Sequence, residues 1–163
     1  MKLYIKQKVF SFRDRFTVKD EFDRDCYSVS SELISLGKRL HIFDNTGREA
    51  AVVKEKLLTL LPKYTISVKG LGDVEIARKL TLFKPYYVIN GIDWEVNGSF
   101  TEHNYTINQY TRTIATISKA WFSWGDSYEI NVSDPDDALM VLAVVIAIDA
   151  ALARDNDAVS ASN

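Results

Sequence analysis

The residue best placed for unusual chemistry is Asp149. It sits in "PDDALMVLAVVIAIDAALARD", directly after eleven unbroken apolar residues, Ala138 to Ile148. A carboxylate in such surroundings must be paired, hydrogen-bonded or near water, because an isolated buried charge is too costly. It therefore lies either at an exit reached by water (or bonded to backbone amides), or in the interior as a functional charge with a shifted pKa. Residues two apart on a strand share a face, so Lys6 with Lys8, and Lys54 with Lys56, are candidate contacts for anionic lipid head groups. Solvated strand faces also carry lysine simply to blunt edge pairing.

Other constellations carry less. His41 lies in a strand-like run and His103 near the turn after Phe100. Neither has a second His or Cys at ligand spacing, so both read as hydrogen-bonded structural residues. No G-x-S-x-G elbow occurs, and Gly70-Leu71-Gly72 lacks the third glycine and the following helix of a dinucleotide loop. Asp134, Asp136 and Asp137 flank Pro135 and fit a helix start better than a calcium loop. In "AWFSWGDSY", Trp121, Phe122 and Trp124 cannot all face inward on a regular strand, so one is expected to be exposed while the rest pack against the core. No catalytic residue, cofactor or metal is assigned, and the chain is not expected to be an enzyme.

The elements that would position these residues are mostly short strands. In "LYIKQKVF", Leu3, Ile5 and Val9 face opposite to Tyr4, Lys6 and Lys8, the period of a half-buried strand. In "KRLHIFD", Leu40 and Ile42 oppose Arg39, His41 and Phe43, and "DNTG" then turns the chain back into "REAAVVKEK". "YTISVKG" and "DVEIARKL" flank the Gly70–Gly72 turn. In "WEVNGSF", Asn97-Gly98 has the residue types of a type I′ turn. Such runs predict about ten to twelve strands, at the spacing of a sandwich or barrel.

The last element reads as a helix over about 135–154. Ser133 or Asp134 can cap it, Pro135 suits its first position, and Asp136 and Asp137 favour the positive end of its dipole. It is apolar all round for three turns, so it must be surrounded. A membrane span needs about 20 apolar residues. Even extended to Ala153 the segment has sixteen, with a carboxylate among them. Ala143, Ala147 and Ala151 give a stripe of small side chains that lets a neighbouring backbone approach. The expectation is an all-β closed barrel enclosing one apolar C-terminal helix, a single domain over 1–155, with a disordered tail at 156–163.

Composition agrees with a globular domain: 47% hydrophobic, 26% charged and a net charge of −2, which argues against a nucleic-acid partner. Charge is uneven. Residues 1–84 carry 17 Lys and Arg against 11 Asp and Glu, net +6, whereas residues 85–163 carry 3 against 11, net −8. Such a split either leaves one basic surface or cancels across the fold. The single Cys26 excludes an internal disulfide and reads as a free thiol in a reducing compartment. The N-terminal decapeptide lacks the apolar core of a signal peptide, so the Asn97, Asn104 and Asn131 triplets read as chance matches to glycosylation sites, and a cytoplasmic location is expected.

Several segments together resemble the LURP-one-related family of the tubby C-terminal-like superfamily. They are "GKRLHIFDNTGREAAVVKEKLLTLLPKYTI", "WEVNGSFTEHNYTI" and "ISKAWFSWGDSYEINV", followed by the acidic cap and the Ala/Val/Ile helix. The likeness runs from about residue 2 to residue 154. It implies a twelve-stranded antiparallel barrel around a central C-terminal helix. Tubby-type relatives bind phosphoinositide head groups on the barrel's outer surface, and scramblase relatives are linked to phospholipids, with the helix argued to be buried or membrane-inserted. LURP-one-related members are largely uncharacterised, with a defence association in plants. The resemblance thus implies a non-enzymatic binding module, acting at anionic phospholipid surfaces on the inner face of the membrane or on a protein partner. A purely structural or interaction domain, and an enzyme using the barrel mouth and Asp149, are the alternatives.

Overall fold

Alternating buried and exposed residues run along nearly the whole chain, and they close on themselves. A computed structural model describes residues 1–6, 15–34, 37–79, 86–120 and 127–160, the side chains of 6, 33, 34 and 155–160 excepted. Twelve strands form: β1 (Lys2–Lys6), β2 (Phe16–Asp20), β3 (Asp25–Ile34), β4 (Gly37–Asp44), β5 (Glu49–Glu55) and β6 (Lys63–Val68). They continue as β7 (Gly72–Lys79), β8 (Tyr86–Asn90), β9 (Glu95–Ser99), β10 (Asn104–Gln109), β11 (Arg112–Ala120) and β12 (Ser127–Val132). Each pairs antiparallel with the next, and β1 pairs with β12 from Lys2 opposite Asn131 to Lys6 opposite Ser127, so the sheet is a closed barrel. Closure leaves no open edge for another chain to extend.

Period-2 alternation sorts side chains between wall and interior. On β4, Leu40 and Ile42 are buried while Arg39 and His41 remain on the outer face. The turns follow local chemistry. Asp44 accepts the backbone N–H groups of Thr46 and Arg48 through its side chain, closing the β4–β5 hairpin, and Gly47 supplies a φ of +80°. Gly70 and Gly72 do the same between β6 and β7, each at a φ of +87°. The Asn97-Gly98 expectation is corrected. Both residues lie inside β9, and the β9–β10 connection is Phe100–His103, since Ser99 pairs with Asn104. Gly98 is needed for space: a Cβ there would lie 2.6 Å from the Cα of Tyr105, its partner across the strands.

The interior is filled by the C-terminal helix. Asp134 accepts from the Asp136 N–H, Pro135 opens a 3-10 turn (Pro135–Asp137), and α1 follows over Ala138–Ser160. The helix thus continues six residues past the expected Ala153–Arg154 end. From Val141 to Ile148 no side chain reaches solvent, and Ala143, Ala147 and Ala151 are all buried. Each large aliphatic side chain so enclosed contributes about 1.5–3 kcal/mol. The enclosing wall is built from residues such as Leu3, Ile5, Ile66, Ile107 and Ile130. Among the described residues, no helix is long and apolar enough to cross a membrane.

The helix enters at the rim where Val132 N–H bonds the Met1 carbonyl at 2.8 Å. It leaves at the opposite rim, where Arg154 Nη1 donates to Glu55 Oε1 at 2.9 Å. Glu55 also accepts the Lys38 N–H through Oε2, so one carboxylate fastens the helix exit to two strands.

Candidate functional site

On the outer face of β4–β7, strand alternation and register assemble a shallow groove. Arg39 on β4 stands directly opposite Lys54 on β5, which faces Thr65 on β6, which faces Glu75 on β7. A second row runs His41, Val52, Ser67 and Asp73. Glu75 apart, the residues of these rows line the groove together with Glu49. Like charges directly opposed on a sheet repel and destabilise it.

The acids nearby, Glu32 opposite Arg39 and Glu49 and Asp73 in the groove, are not ion-paired with either cation among the described residues. Glu32, opposite Arg39 on β3, lies 3.4 Å from His41 Nε2, and Glu49 accepts from His41 Nδ1 at 2.5 Å. Glu75 is bonded by Lys56 and by Lys63 at 3.1 Å, and these two ammonium groups hold its carboxyl below the usual range. Among the described residues, neither Arg39 nor Lys54 has an ion-pair partner. A guanidinium fork, an ammonium and the Thr65 and Ser67 hydroxyls therefore converge on one surface. That donor set is suited to an oxyanion such as phosphate.

A second polar group lies inside the barrel. Asp149, 4% exposed, accepts a hydrogen bond from the Tyr128 hydroxyl through Oδ2. His103, held at a φ of +47° beside β10, places Nε2 3.3 Å from Asp149 Oδ1, off the line of a hydrogen bond, and stacks on the Tyr128 ring at 4.3 Å. Burial pushes the hydroxyls of Tyr128 and Tyr105 well above the ordinary tyrosine range, and the Asp149 charge pushes them further. The Tyr105 hydroxyl is buried with no hydrogen-bond partner among the described residues. This cluster ties helix to wall. Among the described residues, no group of three His, Cys, Asp or Glu could hold a metal ion.

The profile of the LURP-one-related family matches residues 1–149. The chain belongs to the LURP-one-related family. It is 34% identical over 157 residues to the uncharacterized protein YxjI of Bacillus subtilis (strain 168), covering 96% of this chain and 97% of that one. Its fold is similar to the X-ray structure of a protein from Arabidopsis thaliana, with a TM-score of 0.62 at 15% identity, covering 91% of this chain and 90% of that chain.

Within this LURP-one-related barrel, the residues singled out from sequence fall in different places. Lys54 is in the groove. Lys56 is not its companion: β5 ends at Glu55, and Lys56 begins the next connection, neutralised by Glu75. Lys6 lies in β1 opposite Ser127, and its side chain is outside the described residues, as is all of Lys8. Trp121, Phe122 and Trp124 are also outside them. Asp149 is buried rather than at a watered exit, and among the described residues its hydrogen bond comes from Tyr128 on the wall and not from a backbone amide, with His103 Nε2 3.3 Å from its other oxygen. Arg39, the cation that completes the groove, escaped the sequence reading because cross-strand neighbours are visible only once the register is known. His41 is a surface residue held by Glu49, and His103 a buried one.

Proposed function

We propose that this protein is a non-enzymatic binding module whose outer groove on β4–β7 takes the phosphate of an anionic phospholipid head group at the cytoplasmic face of a membrane. The observation that carries this is the direct opposition of Arg39 and Lys54, neither of which has an ion-pair partner among the described residues. A sheet that holds two like charges side by side gains most from an anion placed between them. Thr65 and Ser67 add hydroxyl donors from the adjoining strand. The likeness of the sequence to lipid-binding barrels points the same way.

Co-sedimentation with vesicles tests it. Binding to phosphatidylcholine vesicles that contain phosphatidylglycerol is expected at low salt. It should weaken at physiological salt, as screening shortens the reach of surface charge to about 8 Å. Near an anionic surface each cation contributes about 1 kcal/mol, so reversing both charges in R39E/K54E abolishes binding. Failure of the native protein to bind anionic vesicles at either salt overturns the proposal.

A further inference from the structure

The connection between β5 and β6 presents bare leucines on a built support. Leu58 and Leu60 are fully exposed, and Leu57 is partly so. The segment holding them is fastened at several points. Lys56 N–H bonds the Lys63 carbonyl at 2.8 Å, the Thr59 hydroxyl bonds the Lys56 carbonyl at 3.1 Å, and the Pro62 carbonyl accepts the Arg78 N–H at 3.1 Å. Leu57 lies over Gly37, where even a Cβ would come within 3.0 Å of its Cδ2. With Leu57 packed down, Leu58 takes a φ of +60°. That left-handed backbone costs an L-residue free energy and is seldom kept without a purpose.

A single exposed leucine is ordinary. Two fully exposed leucines at one tip, one on strained backbone, above a basic belt, are not. The belt is Lys54 and Arg39 on the adjoining strands, while Lys56 and Lys63, both paired with Glu75, close the base of the tip. Apolar side chains projecting beyond a layer of cations match the two layers of an anionic bilayer interface, acyl boundary below phosphate.

We infer that Leu58 and Leu60 form a membrane-inserting tip, which enters the acyl boundary while the Arg39–Lys54 groove meets head-group phosphate. The polar half of this rests on the head-group proposal above; the apolar half stands on the tip. No residue of the tip is needed for the core, so replacing it leaves the barrel intact.

The test uses the full chain. In a Cys26→Ser background, Leu58→Cys carries an environment-sensitive fluorophore, and vesicles of phosphatidylcholine, alone or with phosphatidylglycerol, are added. A blue shift, and quenching by lipids spin-labelled in their acyl chains, are expected with the mixed vesicles. L58S/L60S should lower the partition coefficient about tenfold for each leucine, a factor set by the loss of buried apolar area, at unchanged thermal stability. Leu58→Gly, which relieves the positive φ, should raise stability while weakening binding.

If R39E/K54E loses binding while L58S/L60S binds as the native chain does and the fluorophore stays in water, insertion is wrong and the head-group proposal survives. If leucine-dependent binding to pure phosphatidylcholine equals that to mixed vesicles, insertion holds and the head-group proposal falls. Dissociation of a dimer by L58S/L60S without any vesicle binding would assign the tip to a second copy and overturn the inference.

Discussion

Tyr128 on β12 donates its hydroxyl to Asp149 of α1, so the carboxylate buried in the described interior is bonded to the barrel wall. His103 covers the same pair from the β9–β10 turn, its ring stacked on that of Tyr128. A helix of Ala, Val, Leu and Ile could otherwise slide or rotate in an aliphatic tube at little cost in contact. This directional bond, together with that of Arg154 to Glu55 at the exit, fixes its position.

That bond is measurable. Tyr128→Phe removes the donor and leaves a buried carboxylate short of a partner, which should cost about 2 kcal/mol in urea unfolding. Asp149→Leu, which removes the charge together with its need for partners, should cost less than Tyr128→Phe despite being the larger change in polarity. A double-mutant cycle with Asp149→Asn should give a coupling of about 1 kcal/mol or more. Additive effects would show that the bond does not hold the helix.

Alkaline unfolding should be driven by tyrosine. Tyr4 is pushed up to about 12 by burial, by its hydrogen bond to Glu129 and by nearby carboxylate charge, and burial and the Asp149 charge raise Tyr105 and Tyr128 well above the ordinary tyrosine range. An unfolded tyrosine releases its proton near 10, so above that pH the folded chain holds protons the unfolded chain has lost. The stabilisation is complete below about pH 10 and disappears as pH climbs through the folded-state values, to about 12 for Tyr4. Tyrosinate absorbance of these buried residues should therefore appear together with loss of near-ultraviolet circular dichroism. Smooth ionisation of all eight tyrosines near pH 10 with the dichroism intact would contradict this.

On the acid side, Asp44 works in the opposite sense. Its side-chain bond to Thr46, with the backbone N–H groups of Thr46 and Arg48, lowers its pKa to about 2. Its contribution is present above the unfolded value near 4 and is lost as pH falls toward about 2. Asp44→Asn should flatten the acid limb of the stability profile over that window by lowering stability at neutral pH, where the carboxylate's contribution is fully present, and change it little near pH 2. Circular dichroism titration of the two proteins decides it.

Two glycines should respond differently to the same change. At Gly98 an added Cβ meets the backbone of β10 at 2.6 Å, so Gly98→Ala should cost more than about 2 kcal/mol by prying β9 from β10. At Gly47 nothing lies within 4 Å, and only its φ of +80° resists, so Gly47→Ala should cost about 1 kcal/mol. Thermal melts of both rank the effects.

The groove predicts a trade. Lys54→Thr removes a like charge opposite Arg39 and should stabilise the fold by about 0.5 kcal/mol. The same variant should bind anionic vesicles more weakly. Lower stability together with unaltered binding would mean that Lys54 serves the sheet rather than a ligand.

The barrel and its filling were legible because they depend on patterns within single segments. Ala138–Ile148 is too short to span a bilayer and too apolar to lie on a surface, and Leu40–Ile42 or Tyr64–Ile66 alternate plainly. The groove was not legible, because it depends on register. Counting outward from the Asp44–Arg48 turn, a regular hairpin would set Arg39 opposite Val53. The irregularity between Ile42 and Phe43 shifts the pairing by one and brings Arg39 to Lys54. Asn97-Gly98 misled for a related reason: the dipeptide suits a turn, yet the close approach of Tyr105 also demands glycine. The environment of Asp149 was hidden as well, since its partners come from strands and turns distant in sequence.

Because β1 is zipped to β12 and the helix follows β12, closing and filling the barrel fall to its last strand and α1. The first strand pairs with β2 nearby, but its other mate lies more than a hundred residues downstream, and the plug that fills the tube follows even later. During synthesis the greasy inner faces of the early strands stay uncovered, and contacts so remote in sequence form slowly. The tube of this chain is therefore sealed and filled only once its last strand and helix have emerged.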